Sequence, residues 1–345
     1  MSLISLSPLR RISGQLNVLI RASEWWGYKF SPLLATAYAT AILTNVTLWS
    51  LLPCLLLLLL SLTVGAAYVS LLNDWTDRTI DQVAGKSNRL ANKSGAFVNT
   101  LLGVCVTAGF GFGLFFWRLA PVVSLCYAGA WIAYSLYSLP PVRLKVRGLA
   151  GVLADAAGAH LFPQLFTVAL ISHWTGHVVS IAWWWAVGTW SLACGIRNIL
   201  WHQLSDVTAD RRAGIHTLVT RAGELFVRRF GHWFIFPIEV LAFSSLLVEL
   251  NQPGTLIALT VYIGVEAMHW QLWRIRPLVL SPNQRLVLNE YYITFYPLAL
   301  LLTRSLQYPL DGVVLGLHLL LFGGHVAISL RNIRNVAGHL LHSAR

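Results

Sequence analysis

From Phe30 to Asn73 the chain runs without one acidic or basic side chain. A helix crossing the hydrocarbon of a bilayer needs ~20 mainly apolar residues. The stretch is too long for one crossing and suits two, broken near Ser50 to Pro53. Apolar runs of similar length recur near 97–117, 120–139, 149–171, 178–203, 230–249, 253–272, 287–305 and 309–330. The pattern predicts an all-α fold, a polytopic membrane helix bundle of about nine or ten transmembrane helices. Residues 1–345 read as a single membrane-embedded domain with no long polar linker. Before Phe30, Leu9, Ile12, Leu16, Leu19 and Ile20 recur at helical spacing beside Arg10, Arg11 and Arg21, so residues 1–29 read as an interfacial segment lying along the membrane.

Composition supports this. Hydrophobic residues make up 56% of the chain and charged ones 11%, too few to cover a soluble protein of this size. The four cysteines all fall in apolar runs, without zinc-site spacing, and read as buried thiols.

Charge then gives an orientation. With ten crossings, every basic residue except Arg118 and Arg304 falls at or near one face, out of 25 in all. The positive-inside rule makes that face cytoplasmic, together with both termini. The net charge of +12 is thereby a matter of topology, and no nucleic-acid partner is needed to explain it.

Only thirteen acidic residues exist, so their positions matter. Asn73, Asp77 and Asp81 lie four residues apart at the end of the second apolar run, along one helix face at ~6 Å intervals of rise. Asp206 and Asp210 repeat the spacing at the end of the sixth run. Acids in membrane helices cost ~2.5–3.5 kcal/mol each, and stacking them on one face adds repulsion. Divalent cations would neutralise both clusters. Oxygen-only donors suit Mg²⁺, which usually completes its shell with water and substrate phosphates. Lys86 and Arg89 follow the first cluster, and Arg143 and Lys145 follow the fourth run; all four are candidates to bind a diphosphate.

These landmarks resemble the UbiA superfamily of intramembrane prenyltransferases. Asn73, Asp74, Asp77 and Asp81 match its first acidic motif, and Gly85-Lys86-Ser87-Asn88-Arg89 is similar to the basic stretch after it, with Leu90 where proline is usual. The segment from Tyr137 to Lys145 is similar to the one after the family's fourth helix. Asp206, Asp210, Arg211, Arg212, Gly214, Thr217 and Leu218 match the second motif. The resemblance covers roughly residues 20–225; members commonly have nine spans, so a tenth is a departure. It implies a bundle around a central cavity capped by the acidic loops. It also implies Mg²⁺ held by Asn73, Asp77, Asp81, Asp206 and Asp210 against a prenyl diphosphate, with Asp77, Asp81, Asp206 and Asp210 as catalytic residues. The product would be a prenylated lipophilic acceptor, as in quinone or other lipid biosynthesis.

The alternative is a cyclase of the same family, acting on the diphosphate without an acceptor. A transporter is disfavoured because the acids sit at one face rather than mid-membrane. Asp155, His160 and Gln164 lie within the fifth run, where polar residues are functional candidates or packing hydrogen bonders; Glu239 and Glu266 are of the same kind. Gly109 and Gly113 read as close-packing positions. His173 and His177 have metal-compatible spacing but lack a third ligand.

Overall fold

The computed structural model describes residue 14, residues 17–275, 278–281 and 286–343, with side chains to 336. Most of the expected surface helix before residue 21 lies outside the described residues. The described residues are mostly helical and form no strand; their only β pairings are two isolated bridges, at Gly148–Thr217 and Leu278–Leu286. Five helical stretches are long and apolar enough to cross a membrane: Trp49–Thr76, Gly95–Leu119, Leu149–Thr175, Glu224–Leu250 and Asp311–Val336.

In chain order, a short α1 (Ala22–Trp25) leads to α2 (Ser31–Leu43), α3 (Leu52–Thr76) and a brief α4 (Arg78–Ala84). Next come α5 (Gly95–Leu119), α6 (Pro121–Ser138), α7 (Leu149–Ala156), α8 (Phe162–Thr175) and the long α9 (Ile181–Arg212). After two short helices, α10 (Leu218–Ala222) and α11 (Glu224–Phe230), the chain forms α12 (Phe236–Leu250), α13 (Pro253–Trp273), α14 (Tyr296–Gln307) and α15 (Asp311–Ser343). Helix α2 is buried on every side. Ala35, Ala37, Ala39 and Ala41 are fully enclosed, and such small residues let α8 and α14 approach its backbone closely. Large apolar side chains such as Val104, Phe110, Leu241, Val248 and Leu320 point outward, as lipid-facing positions require.

Four helices contain a wide π-turn: Trp26–Phe30, Ala157–Leu161, Gly231–Ile235 and Tyr291–Phe295. Each ends two residues before a proline, at Pro32, Pro163, Pro237 and Pro297. Proline has no N–H to give and its ring crowds the carbonyl four residues back. Widening the preceding turn relieves that crowding and lets the helix continue.

Two buried ion pairs tie the bundle together. Arg197 of α9 grips Glu239 of α12 through Nε and Nη2, both at 2.6 Å, and Tyr292 donates to the same carboxylate at 3.1 Å. Both partners are fully buried, and leaving either charge uncompensated would cost about 3–5 kcal/mol. At the other end, Asp311 accepts from the Trp49 N–H at 2.9 Å and sits 3.4 Å from Arg304, which donates to the Val46 carbonyl.

Candidate active site

Helix α3 delivers Asn73 and Asp77 to one end of the bundle, and α4 carries the same line on to Asp81, whose N–H bonds the Asp77 carbonyl at 2.7 Å. Helix α4 stops at Gly85, which takes the left-handed conformation (φ 70°) that a glycine C-cap accepts without penalty. The chain therefore folds back, and the Lys86 N–H reaches the Asp81 carbonyl at 2.8 Å. This reversal aims the Lys86 side chain at α9, where Nζ lies 2.8 Å from Asp206 and 3.4 Å from Asp210. Asn88 fixes the same loop, donating at 2.7 Å both to the Asp81 carboxylate and to the Asp74 carbonyl.

The loop after α6 supplies the second set of cations. Arg143 sits in the left-handed region (φ 37°) ahead of a 3₁₀ turn over Leu144–Val146. From there Arg143 donates to Asp77 at 2.8 Å, and Lys145 bonds the same oxygen. Gly151, on the first turn of α7, lies against this turn: a Cβ there would fall 2.5 Å from the Leu144 carbonyl oxygen and 2.9 Å from the Lys145 Cα. On α9, Asp206 and Asp210 stand one turn apart. The residues after them brace the loop: the Gly148 N–H bonds the His216 carbonyl, and the Thr217 hydroxyl caps α10 by accepting from the Thr220 N–H.

Burial raises the carboxyls of Asp81 and Asp210, against the opposing pull of Asn88 on the first and Lys86 on the second. Burial lowers Lys145 despite the charge of Asp77. For Lys86, burial also acts downward, but Asp206 and Asp210 outweigh it and the ammonium is held above its ordinary value. The site is thus a set of crowded carboxylates, each group held by a cation or amide.

Beneath this end lies a cavity of about 120 Å³ between α3, α6 and α8, closed by the π-turns at Lys29 and at Ala159. Ser70 is in its wall, three residues before Asn73. The lining is largely aromatic: Tyr68 and Trp131 stack at 4.6 Å, and Tyr127, Phe166, Trp25 and Phe30 complete it. Lys29 is its one charged lining residue.

The structure thus brings Asp77, Arg143 and Lys145 together, and separately Lys86, Asp206 and Asp210, with α4 packed against the end of α9. Asn73 lies in the same line and accepts from the Ser138 hydroxyl. Arg89 is turned elsewhere, to Glu24 at 2.5 Å. Among the described residues no three His, Cys, Asp or Glu side chains cluster closely enough to form a metal cage. The donors that could share a metal with a substrate are the Asp77, Asp81, Asp206 and Asp210 oxygens, arrayed at two facing helix ends.

Spacing alone missed several groups. Asp74 is buried and pairs with Arg21 at 2.7 Å, joining the segment before α1 to the first acidic motif. Asn88 organises the loop, and Lys29, in the cavity wall, meets His160 at 2.5 Å. Of the two glycines expected to pack closely, Gly109 does: a Cβ there would strike the Trp131 ring at 2.3 Å. Gly113 has open space where its Cβ would be, so it serves no close approach. Glu239 belongs to the Arg197 pair, and Glu266 lies 3.9 Å from His269 on its own helix.

A family model, the UbiA prenyltransferase family, matches residues 33–289. No curated protein sequence matches the chain significantly. Among solved structures, a UbiA homolog from Archaeoglobus fulgidus bound to GPP and Mg²⁺ is similar with a TM-score of 0.58 and 17% identity, over 86% of this chain and 99% of that one. The same homolog bound to DMAPP and Mg²⁺ gives 0.54 and 18%, over 84% and 99%. Its Cd²⁺-bound form gives 0.55 and 18%, over 83% and 99%. At these identities the likeness is one of fold.

Proposed function

The chain belongs to the UbiA prenyltransferase family, and we propose that it transfers a prenyl group from its diphosphate to a lipophilic acceptor inside the membrane, with Mg²⁺ as cofactor. The observation that carries this reading is the stacking of two carboxylate clusters, bracketed by Lys86, Arg143 and Lys145, over an aromatic cavity. The similar Archaeoglobus fulgidus structures bound to GPP or DMAPP with Mg²⁺ support it.

The donor set fits the ion. Mg²⁺ is commonly held by one or two carboxylates plus substrate phosphates and water, so a complete protein cage is not required. The carboxylates also already attract cations: Lys86 lies between Asp206 and Asp210, and Lys145 on Asp77. When bound, Mg²⁺ would neutralise the diphosphate and the charge that develops on it. Lys86, Arg143 and Lys145 add donors to the phosphate oxygens once these compete with the carboxylates. Cleavage of the C1–O bond sends both electrons to the diphosphate and leaves an allylic cation. The faces of Tyr68, Trp131 and Tyr127 stabilise that cation and the apolar cavity keeps water away. The acceptor carbon then bonds C1 and loses a proton.

In this reading the helices make ten crossings, with the site and both termini cytoplasmic. The test is to incubate purified protein with radiolabelled GPP and Mg²⁺, with and without a membrane-lipid acceptor fraction. Diphosphate release and a prenylated lipid that depend on the acceptor fraction are expected. A hydrocarbon product formed equally well without it would make the protein a cyclase, and no diphosphate release in either arm would contradict prenyl chemistry altogether.

A further inference from the structure

We infer that the cleft between α12 and α13 is a second lipid site, separate from the aromatic cavity, and that it takes a single-chain lipid alcohol with its hydroxyl on Glu266. The inference goes beyond the prenyl-transfer reading and does not depend on it.

Only Asn251 and Gln252 connect α12 to α13. Helices joined so tightly are usually packed neighbours. These two instead diverge: α12 packs on α9, and α13 on α14 and α15. Between them they leave a cavity of about 500 Å³, which shares no lining residue with the aromatic cavity. Buried Phe243 and Tyr262 and exposed Ile263 and Ala267 all contribute to its lining. Leu241, Val248 and Ile257 point outward around it, which marks its mouth as lipid-facing. The backbone is strained at the same place. Leu288, in the lining, has φ 68°, a conformation that is unfavourable for a bulky residue and gathers at ligand sites. Its N–H donates to the Tyr262 hydroxyl at 2.9 Å, which holds it there.

Glu266 is the one charged residue in the lining among the described residues. It is buried two turns before α13 ends at Trp273, ~10 Å of rise below that end. Exposed Trp270 and Trp273 suit the interface level at which tryptophan anchors membrane helices, so the acid lies deeper than a head group. An acid at that depth is costly and is a functional candidate by default. His269, 3.9 Å away, is beyond hydrogen-bonding distance. A carboxylate accepts at about four lone-pair positions, so Glu266 has room for a further donor beside its contacts within the protein. The ligand follows from this. The lining is apolar over the ~10 Å of rise from Glu266 to Leu259, which suits a hydrocarbon chain. The head must be small to sit that deep, and a phosphate or carboxylate there would face Glu266. A hydroxyl fits either protonation state of the acid, donating to the carboxylate or accepting from the carboxylic acid. An ammonium fits only the first.

The experiment uses photo-crosslinking probes that share one hydrocarbon chain with a mid-chain diazirine: hexadecanol, its methyl ether and hexadecanoic acid. Each is added to the full chain in phosphatidylcholine vesicles at mildly alkaline pH, where the acid is ionised, and labelled residues are located by mass spectrometry. The alcohol is expected to label α12 and α13 at the cleft, half-maximally at about tenfold or more lower concentration than the ether or the acid, as fits a charge-assisted hydrogen bond. Glu266→Leu should lose that margin, and Glu266→Gln, whose carbonyl still accepts, should keep more of it. Ala267→Trp fills the mouth without removing the acid, and should block labelling of the cleft by all three probes. Thermal unfolding close to that of wild type shows that a variant is folded, and Ala267→Trp tests the site even where Glu266→Leu does not fold. The inference is overturned if wild type labels alike with all three probes, which would make the cleft a gap filled by ordinary acyl chains. It is equally overturned if the acid labels best, if folded Glu266→Leu keeps the full margin, or if folded Ala267→Trp leaves labelling by the alcohol unchanged.

Discussion

Gly151 shows how a residue outside the chemistry governs it. Its missing Cβ leaves room for the Leu144–Lys145 backbone, which holds Lys145 on Asp77. Alanine is the better helix former by about 1 kcal/mol, so Gly151→Ala would stabilise an isolated helix. Here it must push a backbone segment aside and carry Lys145 with it. We expect Gly151→Ala to fold but to turn over about tenfold or more slowly, in line with the cost of a small misplacement near a reacting group. Gly103→Ala, with open space around it on α5, should match wild type in the same diphosphate-release assay. Equal rates for both variants would show that the Lys145 turn is not positioned by Gly151. At this scale the acids were legible in the sequence, because four-residue spacing at a helix end leaves Asn73, Asp77 and Asp81 few places to go. Side-chain direction was not. Nothing in the spacing says that Arg89 turns to Glu24, that Asp74 pairs with Arg21, or that Lys29 faces inward beside His160.

Helices were the most readable elements, since runs of apolar residues in lipid have no other way to satisfy their backbone. Their interruptions were less so. Pro53, Pro121 and Pro253 sit at helix starts, where a missing N–H costs nothing. Pro32, Pro163, Pro237 and Pro297 sit just past the π-turns of continuing helices. Both sets look alike in sequence; what separates them is whether helix precedes the proline, which tertiary packing decides. The two glycines of α5 make the same point. Gly109 was correctly read as a close approach, and Gly113 was not, because only Gly109 meets an aromatic ring on α6. The Arg197–Glu239 pair joins residues far apart in sequence, so neither partner reveals the other until α9 and α12 are side by side.

Over the whole molecule, polar contacts gather at two ends, apart from buried links between helices such as Arg197–Glu239. The segments after α3, α4 and α6 meet each other and the end of α9 through Asp77, Lys145, Lys86 and Asp206, whereas Trp49, Arg304 and Asp311 meet at the far end, with Ser180 and Glu249 paired separately. In the proposed orientation the first end faces the cytoplasm, as the positive-inside rule expects of the more basic side. In a background without native cysteines, Arg147→Cys should be protected from an impermeant maleimide in right-side-out vesicles, and His177→Cys should react. Labelling of both from the same side would refute this orientation.

The central claim is that the two acidic clusters hold Mg²⁺ for a prenyl diphosphate, and the contrast between Asp206 and Glu224 tests it most directly. Asp206 belongs to the second cluster, facing Lys86. Glu224 is a nearby acid that pairs with Arg211 at 3.5 Å and Arg228 at 3.9 Å. Such surface pairs contribute roughly 0–1 kcal/mol and are weakened by salt. The measurement is a Mg²⁺ titration of diphosphate release from GPP for wild type, Asp206→Asn and Glu224→Gln in the same lipid. Asp206→Asn should raise the Mg²⁺ requirement about tenfold or more, or stop the reaction, since a lost ligand contributes at least ~1.4 kcal/mol; Glu224→Gln should superimpose on wild type. Identical Mg²⁺ curves for the two variants would contradict the account.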